Sequence, residues 1–214
     1  MSHMLRIGVV CEGATETEFV KTCLYPHFIN RRINLVPKDM RGNVSVERTA
    51  DFLLKTATGF DYTTTLLDFY GFKHNANPDG TAKLTIPELE AEIITTVQAK
   101  SANLPIHTVI PYIQQYEFEA LLFSDIGHFD WVLDAWTAHE RAQLERICQQ
   151  FPNPEDINHG RQTAPSKRLD QVFDGYFDKV EHGPLIAESI GLPMIRQKCP
   201  RFDAWISRLE QLTL

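Results

Sequence analysis

A chain of 214 residues, 43% of them hydrophobic and 23% charged, is long enough for one substantial core but short for two independent domains, and so ordinary a composition argues against disorder as the carrier of function. No apolar run approaches the roughly 20 residues needed to cross a bilayer, and no basic-then-apolar leader opens the chain, so a cytoplasmic protein without membrane association is expected. The formal net charge of −7 argues against a large sequence-independent DNA footprint, which needs many Lys and Arg to neutralise phosphates; any nucleic-acid contact is expected to be local or shared with a partner.

Met1-Ser2-His3 reads as a leftover of recombinant expression ahead of a natural start at Met4, so His3 is set aside as a ligand candidate. Leu5 to Cys11 is a short apolar run rich in β-branched residues that breaks at Glu12-Gly13, as a buried strand ending in a turn does. Thr15 as an N-cap with Glu18 three residues on, followed by Phe19, Val20, Cys23 and Leu24 at helical spacing, predicts a helix running past Tyr25, with Glu18 in the capping role. Ile33 to Pro37 is a weaker strand, and Val46, Phe52 and Leu53 belong to a second helix that leads to a turn at Gly59.

Tyr62 to Phe69 is a persuasive internal strand with Asp68 at its exit. A polar loop from His74 to Gly80 follows, then a helix over Ile86 to Ala99 and a strand over Ile106 to Tyr112. Strands separated by helices imply an α/β fold with a mostly parallel, Rossmann-like sheet flanked by helices over residues 4–124. Helical patterning over Trp131 to Gln150, Ser166 to Phe173 and Asp203 to Leu212 predicts a helical C-terminal extension over 125–214, packed on that core.

In a parallel sheet, ligands bind outside the carboxyl ends of the strands, where Glu12, Glu16 and Asp68 are expected to fall. Crowded carboxylates repel one another unless a cation neutralises them, and hard oxygen ligands suit magnesium, manganese or calcium. The plainer alternative is that Glu16, like Glu18, only favours a helix N-terminus. Glu117 or Glu119, opening a helix after the Ile106 strand, could complete a second metal site or merely stabilise that helix. Lys167 and Arg168, beside a helix start at Pro165-Ser166, are a plausible phosphate contact or ordinary solvated surface, and Lys179 and Lys198 carry less weight individually.

The histidines at 27, 74, 107, 128, 139, 159 and 182 show no short-range ligand spacing, and neither a Gly-x-Ser-x-Gly elbow nor a P-loop is present, which removes the main support for zinc protease, α/β-hydrolase and P-loop ATPase readings. Cysteines 11, 23, 148 and 199 lack Cys-x-x-Cys spacing and are expected to be reduced, largely buried thiols.

Glu12-Gly13-x-Thr15-Glu16, Asp68-Phe69-Tyr70-Gly71-Phe72, the run from Glu117 to Phe123, Pro165-Ser166-Lys167-Arg168-Leu169 and Cys199-Pro200-Arg201-Phe202 together resemble the DUF4276 family nearly end to end. That family is similar to the TOPRIM fold of topoisomerases, primases and OLD-type nucleases, whose signature is a glutamate after strand one and an Asp-x-Asp after a later strand. The resemblance implies a TOPRIM-like core in which Glu12 and Asp68 occupy those places, with Tyr70 standing where the second aspartate is expected. Tyrosine is not an ordinary magnesium ligand at neutral pH, and Glu119 is inferred to restore the missing charge.

The expectation is therefore a Mg2+- or Mn2+-dependent nuclease that cleaves DNA or RNA, with Glu12, Asp68 and Glu119 on the metal, Glu16 as outer ligand or base, and Lys167 stabilising the phosphate. The resemblance also implies an ATPase partner in a restriction-linked or phage-defence system. The alternative function is a non-catalytic metal- or nucleotide-binding module that regulates such a partner.

Overall fold

The computed structural model describes residues 4–77, 81–130, 136–158 and 160–213. Strand β1 (Leu5–Cys11) is buried at every position but Arg6, because both faces of the sheet are covered and an apolar run suits such a strand better than alternation. It pairs in parallel with β2 (Ile33–Asp39) on one side and β3 (Tyr62–Asp68) on the other. Two short strands, β4 (Val109–Ile110) and β5 (Ile113–Gln114), continue in parallel beside β3. The order is β2-β1-β3-β4, with β5 also against β3.

The single strand expected over Ile106 to Tyr112 is broken. Ile106–Thr108 is a 3-10 turn, β4 alone falls within the expected range, and Pro111 and Tyr112 separate it from β5, which lies past the expected end. Pro111 has no N–H to give a ladder, and threonine hydroxyls of β3 bridge the gap. Thr64 donates to the Ile110 carbonyl at 2.6 Å, Thr65 donates to the Tyr112 carbonyl at 2.6 Å, and the Tyr112 N–H donates to Thr65 Oγ1 at 2.8 Å.

Helix α1 (Ala14–Phe19) passes into a π turn at Val20–Leu24 and then α2 (Tyr25–Ile29). Pro26 cannot donate to the helical ladder, and the chain widens just ahead of it. The expected Thr15 cap with Glu18 does not form. The cap is Gly13, Glu16 Oε2 accepts its N–H at 2.9 Å, and Glu18 is an exposed side chain paired with Lys21 at 3.0 Å.

Consecutive strand residues point to opposite faces, and two apolar clusters result. Val10 and Leu67 join one with α3 (Val46–Ala57) and α4 (Ile86–Lys100). Val9 and Leu66 join the other with α1 and the C-terminal helices α5 (Ala138–Gln150), α6 (Pro165–Val172), α7 (His182–Ile190), α8 (Leu192–Lys198) and α9 (Pro200–Glu210). The five-residue start expected at 131–135 for α5 lies outside the described residues, and α9 begins at Pro200 rather than Asp203, a proline fitting the first helical turn. Trp205 of α9 stacks on Tyr112 at 4.5 Å and donates its indole N–H to Thr64 Oγ1 at 2.9 Å, which ties the helical region to the broken strand.

The molecule is thus an α/β protein with a parallel sheet flanked by helices and a helical C-terminal region. Among the described residues no helix is long and apolar enough to cross a membrane. Cys11, Cys23, Cys148 and Cys199 are free thiols, with Cys148 partly exposed and the other three buried.

Candidate metal centre at the sheet edge

The carboxyl ends of β1 and β3 place Glu12 and Asp68 side by side. The Glu12 backbone is held from three directions: its N–H donates to the Leu66 carbonyl at 3.2 Å, its carbonyl accepts from Gly42 at 2.8 Å, and the preceding Cys11 carbonyl accepts from Met40 at 2.9 Å. Glu12 Oε2 accepts the Asp68 N–H at 3.2 Å, and Asp68 Oδ1 accepts the Phe118 N–H at 2.8 Å. Each carboxylate therefore orients the segment carrying the next. Gly71 completes the wall, since a methyl group at its α-carbon would overlap the Glu12 carboxylate.

Glu119 lies in a 3-10 segment, Phe118–Ser124, and Glu117 is the extended residue that caps it, in place of the α-helix expected there. Tyr116, just ahead, has φ of +38°, an uncommon conformation for a residue with a side chain, and its carbonyl accepts the Tyr70 N–H at 3.1 Å. That kink turns the chain so that Glu117 and Glu119 diverge. Glu117 Oε2 accepts the Ser166 N–H at 2.9 Å, at the start of α6. Glu119 is 1% exposed, and among the described residues neither of its carboxylate oxygens has a hydrogen-bond partner. Glu16, 2% exposed, uses Oε2 on Gly13 while Oε1 has none.

The cation beside these acids is Lys179, not Lys167. Lys179 Nζ lies 3.8 Å from Glu119 Oε1, within ion-pair reach but beyond a hydrogen bond. Lys167 is half-exposed on α6 and paired with Asp170 at 3.1 Å, so the structure does not bring it to the carboxylates. Arg168, the other cation of that phosphate-contact reading, donates Nε to the Thr163 carbonyl at 2.9 Å and packs over Phe151. No local pattern marks Lys179, which reaches the acids because the N-terminal end of α7 docks there. Gly183 packs against Phe118 and Thr15, and its N–H donates to the Lys179 carbonyl at 3.2 Å.

Electrostatics follow from burial and crowding. Burial and then the Glu16 charge raise Glu12; burial raises Glu16 against the pull of Lys179. Asp68 is pushed well above the usual carboxylate range by burial and then by Glu16, Glu12 and Glu119. Glu119 is pushed up to about 7, mainly by burial. Burial opposes the charge on Lys179, but Glu119, Asp68, Glu16 and Glu12 together hold it above its ordinary value.

Hard oxygen donors with unpartnered lone pairs and mutual repulsion have the chemistry of a Mg2+ or Mn2+ site. Among the described residues no three His, Cys, Asp or Glu side chains already stand in a metal-holding arrangement, so a cation would have to draw these carboxylates together. Three of the described histidines are engaged elsewhere: His27 on Glu210, His128 on Ser189, and His182 on the Asp178 backbone. His159 lies outside the described residues.

The fold and site define an α/β protein with a buried acidic cluster at the carboxyl edge of a parallel sheet. The chain belongs to the DUF4276 family, by its description a domain of unknown function, whose profile matches residues 11–210. No curated protein matches the chain. Among solved structures it is similar to the C-terminal region of the Xanthomonas campestris pv. campestris OLD protein, with 12% identity, a TM-score of 0.42, and coverage of 99% of this chain and 100% of that one.

Proposed function

We propose that the chain is a divalent-metal-dependent phosphodiesterase acting on nucleic acid, with Glu12, Asp68 and Glu119 facing the metal. The observation that carries this reading is Glu119, a buried carboxylate whose oxygens have no hydrogen-bond partner among the described residues. Such a group is costly unless something pairs with it, and Mg2+ or Mn2+ suits the donors around it. When bound, the metal supplies Lewis-acid polarisation of a phosphoryl oxygen and a more acidic water.

The remaining roles belong to the chain. Glu12 and Asp68, oriented by their backbone hydrogen bonds, hold their carboxylates at the strand ends. Glu16 Oε1 is the group available to accept a proton from attacking water. Lys179, half-exposed above Glu119, takes the phosphate-facing role first read for Lys167.

The test is cleavage of mixed single- and double-stranded DNA and RNA by the purified chain with Mg2+, Mn2+ or EDTA. Metal-dependent cutting is expected; no cutting under any of these conditions overturns the reading. Gly71→Ala should leave the fold intact while slowing cleavage by about tenfold or more, because the added methyl meets only the far end of the Glu12 side chain, not backbone, and small misplacements of reacting groups are expensive. An unchanged rate would remove Glu12 from the machinery.

A second reading is a metal- or nucleotide-binding module that regulates an ATPase partner of a phage-defence or restriction-linked system. It draws support from Lys179, which already offsets part of the acidic charge, and from Tyr70 in place of a second aspartate. Under it, Glu12→Ala weakens metal or partner binding and there is no cleavage to lose.

A further inference from the structure

Beside the carboxylates lies a cavity of about 640 Å³, within the range of small-ligand sites, lined by Phe69, Tyr70, Phe72 and Tyr116 with Arg161 and Arg201. It shares a wall with the acidic cluster. Tyr70 follows Asp68 by two residues, Gly71 abuts Glu12, and the Tyr70 N–H is bonded to the Tyr116 carbonyl.

The aromatic rings form a platform. Tyr70 and Tyr116 have centroids 5.5 Å apart with planes 32° from parallel, and Phe69 lies 5.9 Å from Tyr70. Over Tyr70, at 5.0 Å, stands the Arg161 guanidinium. The two arginines differ. Arg201 is committed to Glu90 and the Ile113 carbonyl, whereas Arg161 is exposed and makes no ion pair among the described residues. A cation held on an aromatic face at a cavity mouth offers one charge to a phosphate and one flat surface to a planar ring.

The amides at the cavity are largely occupied. Asn75 exchanges hydrogen bonds with the Leu84 backbone at 2.9 and 2.8 Å, and Asn158 Oδ1 accepts the Gly160 N–H at 2.9 Å. Gln115, whose Nε2 reaches Asp156 Oδ1 at 3.5 Å, is the least committed lining amide, so the site offers little to a base edge beyond that one group and suits stacking more than sequence discrimination. A duplex keeps its bases stacked on one another and needs spread positive charge, which a chain of net charge −7 does not offer.

We propose that this cavity receives an unpaired nucleotide, its base on the Tyr70–Tyr116 platform and its phosphate on Arg161, so that single-stranded nucleic acid or an unstacked base is the preferred substrate of the neighbouring site. The inference rests on the nuclease reading for its purpose but not for its test. The probe is a short single-stranded oligonucleotide carrying 2-aminopurine, compared with its duplex, in Ca2+ or EDTA so that binding is read without turnover.

Single-strand binding should be at least about tenfold tighter than duplex binding and should quench the 2-aminopurine. Tyr70→Ala and Arg161→Ala should each weaken it about tenfold, while Tyr70→Phe should retain it. If Tyr70→Ala fails to fold, Arg161→Ala decides alone, because the described contact of that side chain is the Tyr70 ring. Equal affinity for the two forms, or unchanged binding in Arg161→Ala, overturns the proposal even if the chain cleaves. Conversely, selective binding that follows these variants in a chain that cuts nothing upholds the cavity and overturns the nuclease reading.

Discussion

Asp68→Asn is expected to lower metal-supported cleavage by more than about 100-fold while leaving the fold intact. Even outer-shell partners of metal ligands are worth about 10–100-fold, so a ligand itself should exceed that. The fold survives because an asparagine Oδ1 can still accept the Phe118 N–H that Asp68 now holds at 2.8 Å. Moreover, the substitution removes one charge from a group that burial and Glu16, Glu12 and Glu119 make costly to ionise, so thermal stability without metal should be equal or higher. Cleavage rates and melting temperatures of both proteins check this. Wild-type cleavage in a folded Asp68→Asn protein would contradict the assignment.

The second large effect is on stability against pH. Glu119 is held at about 7 in the folded chain against an ordinary value of 4.5. Between those values the folded state keeps a proton that the unfolded state gives up, so the stability from this group is complete below about pH 4.5 and is lost as pH rises through 7. At about 1.4 kcal/mol per pKa unit the loss is on the order of 3 kcal/mol. Lys179 does not mask it, because a lysine held above its ordinary value gives stability that is lost only at alkaline pH. Urea denaturation of metal-free protein at pH 5 and 8 should show the fall, to which the raised Asp68, Glu12 and Glu16 add in the same direction, and Glu119→Gln should make it smaller. An equal fall in that variant would show that Glu119 does not contribute to it.

How much of this was legible in the sequence depends on how local the cause is. Glu12 and Asp68 were readable because an apolar β-branched run that stops at an acid fixes that acid at a strand end, and Glu16 follows Glu12 in the first turn of the next helix. The region from Ile106 to Tyr112 read as one strand, since its apolar residues outweighed Pro111 and nothing local shows that Thr64 and Thr65 bridge the gap by their hydroxyls. Glu18 was favoured over Glu16 as the capping acid because Thr15 is a commoner cap than Gly13; the break after β1 sets the helix start two residues earlier. Lys179 had no local signature at all. It is placed by the docking of α7 on Phe118 and Thr15, a contact between segments far apart in sequence, whereas Lys167 sat in an attractive motif and faces solvent. The aromatic cavity was hidden similarly, with Tyr70 and Arg161 brought together only by the fold.

Whether these carboxylates hold a divalent cation is measured by calorimetric titration of Mn2+ into the purified chain. Binding should be saturable, should release protons to the buffer because Glu119 begins partly protonated at neutral pH, and should weaken strongly in both Asp68→Asn and Glu119→Gln. No binding, or binding of equal strength in folded forms of both variants, would contradict a cation held by these carboxylates.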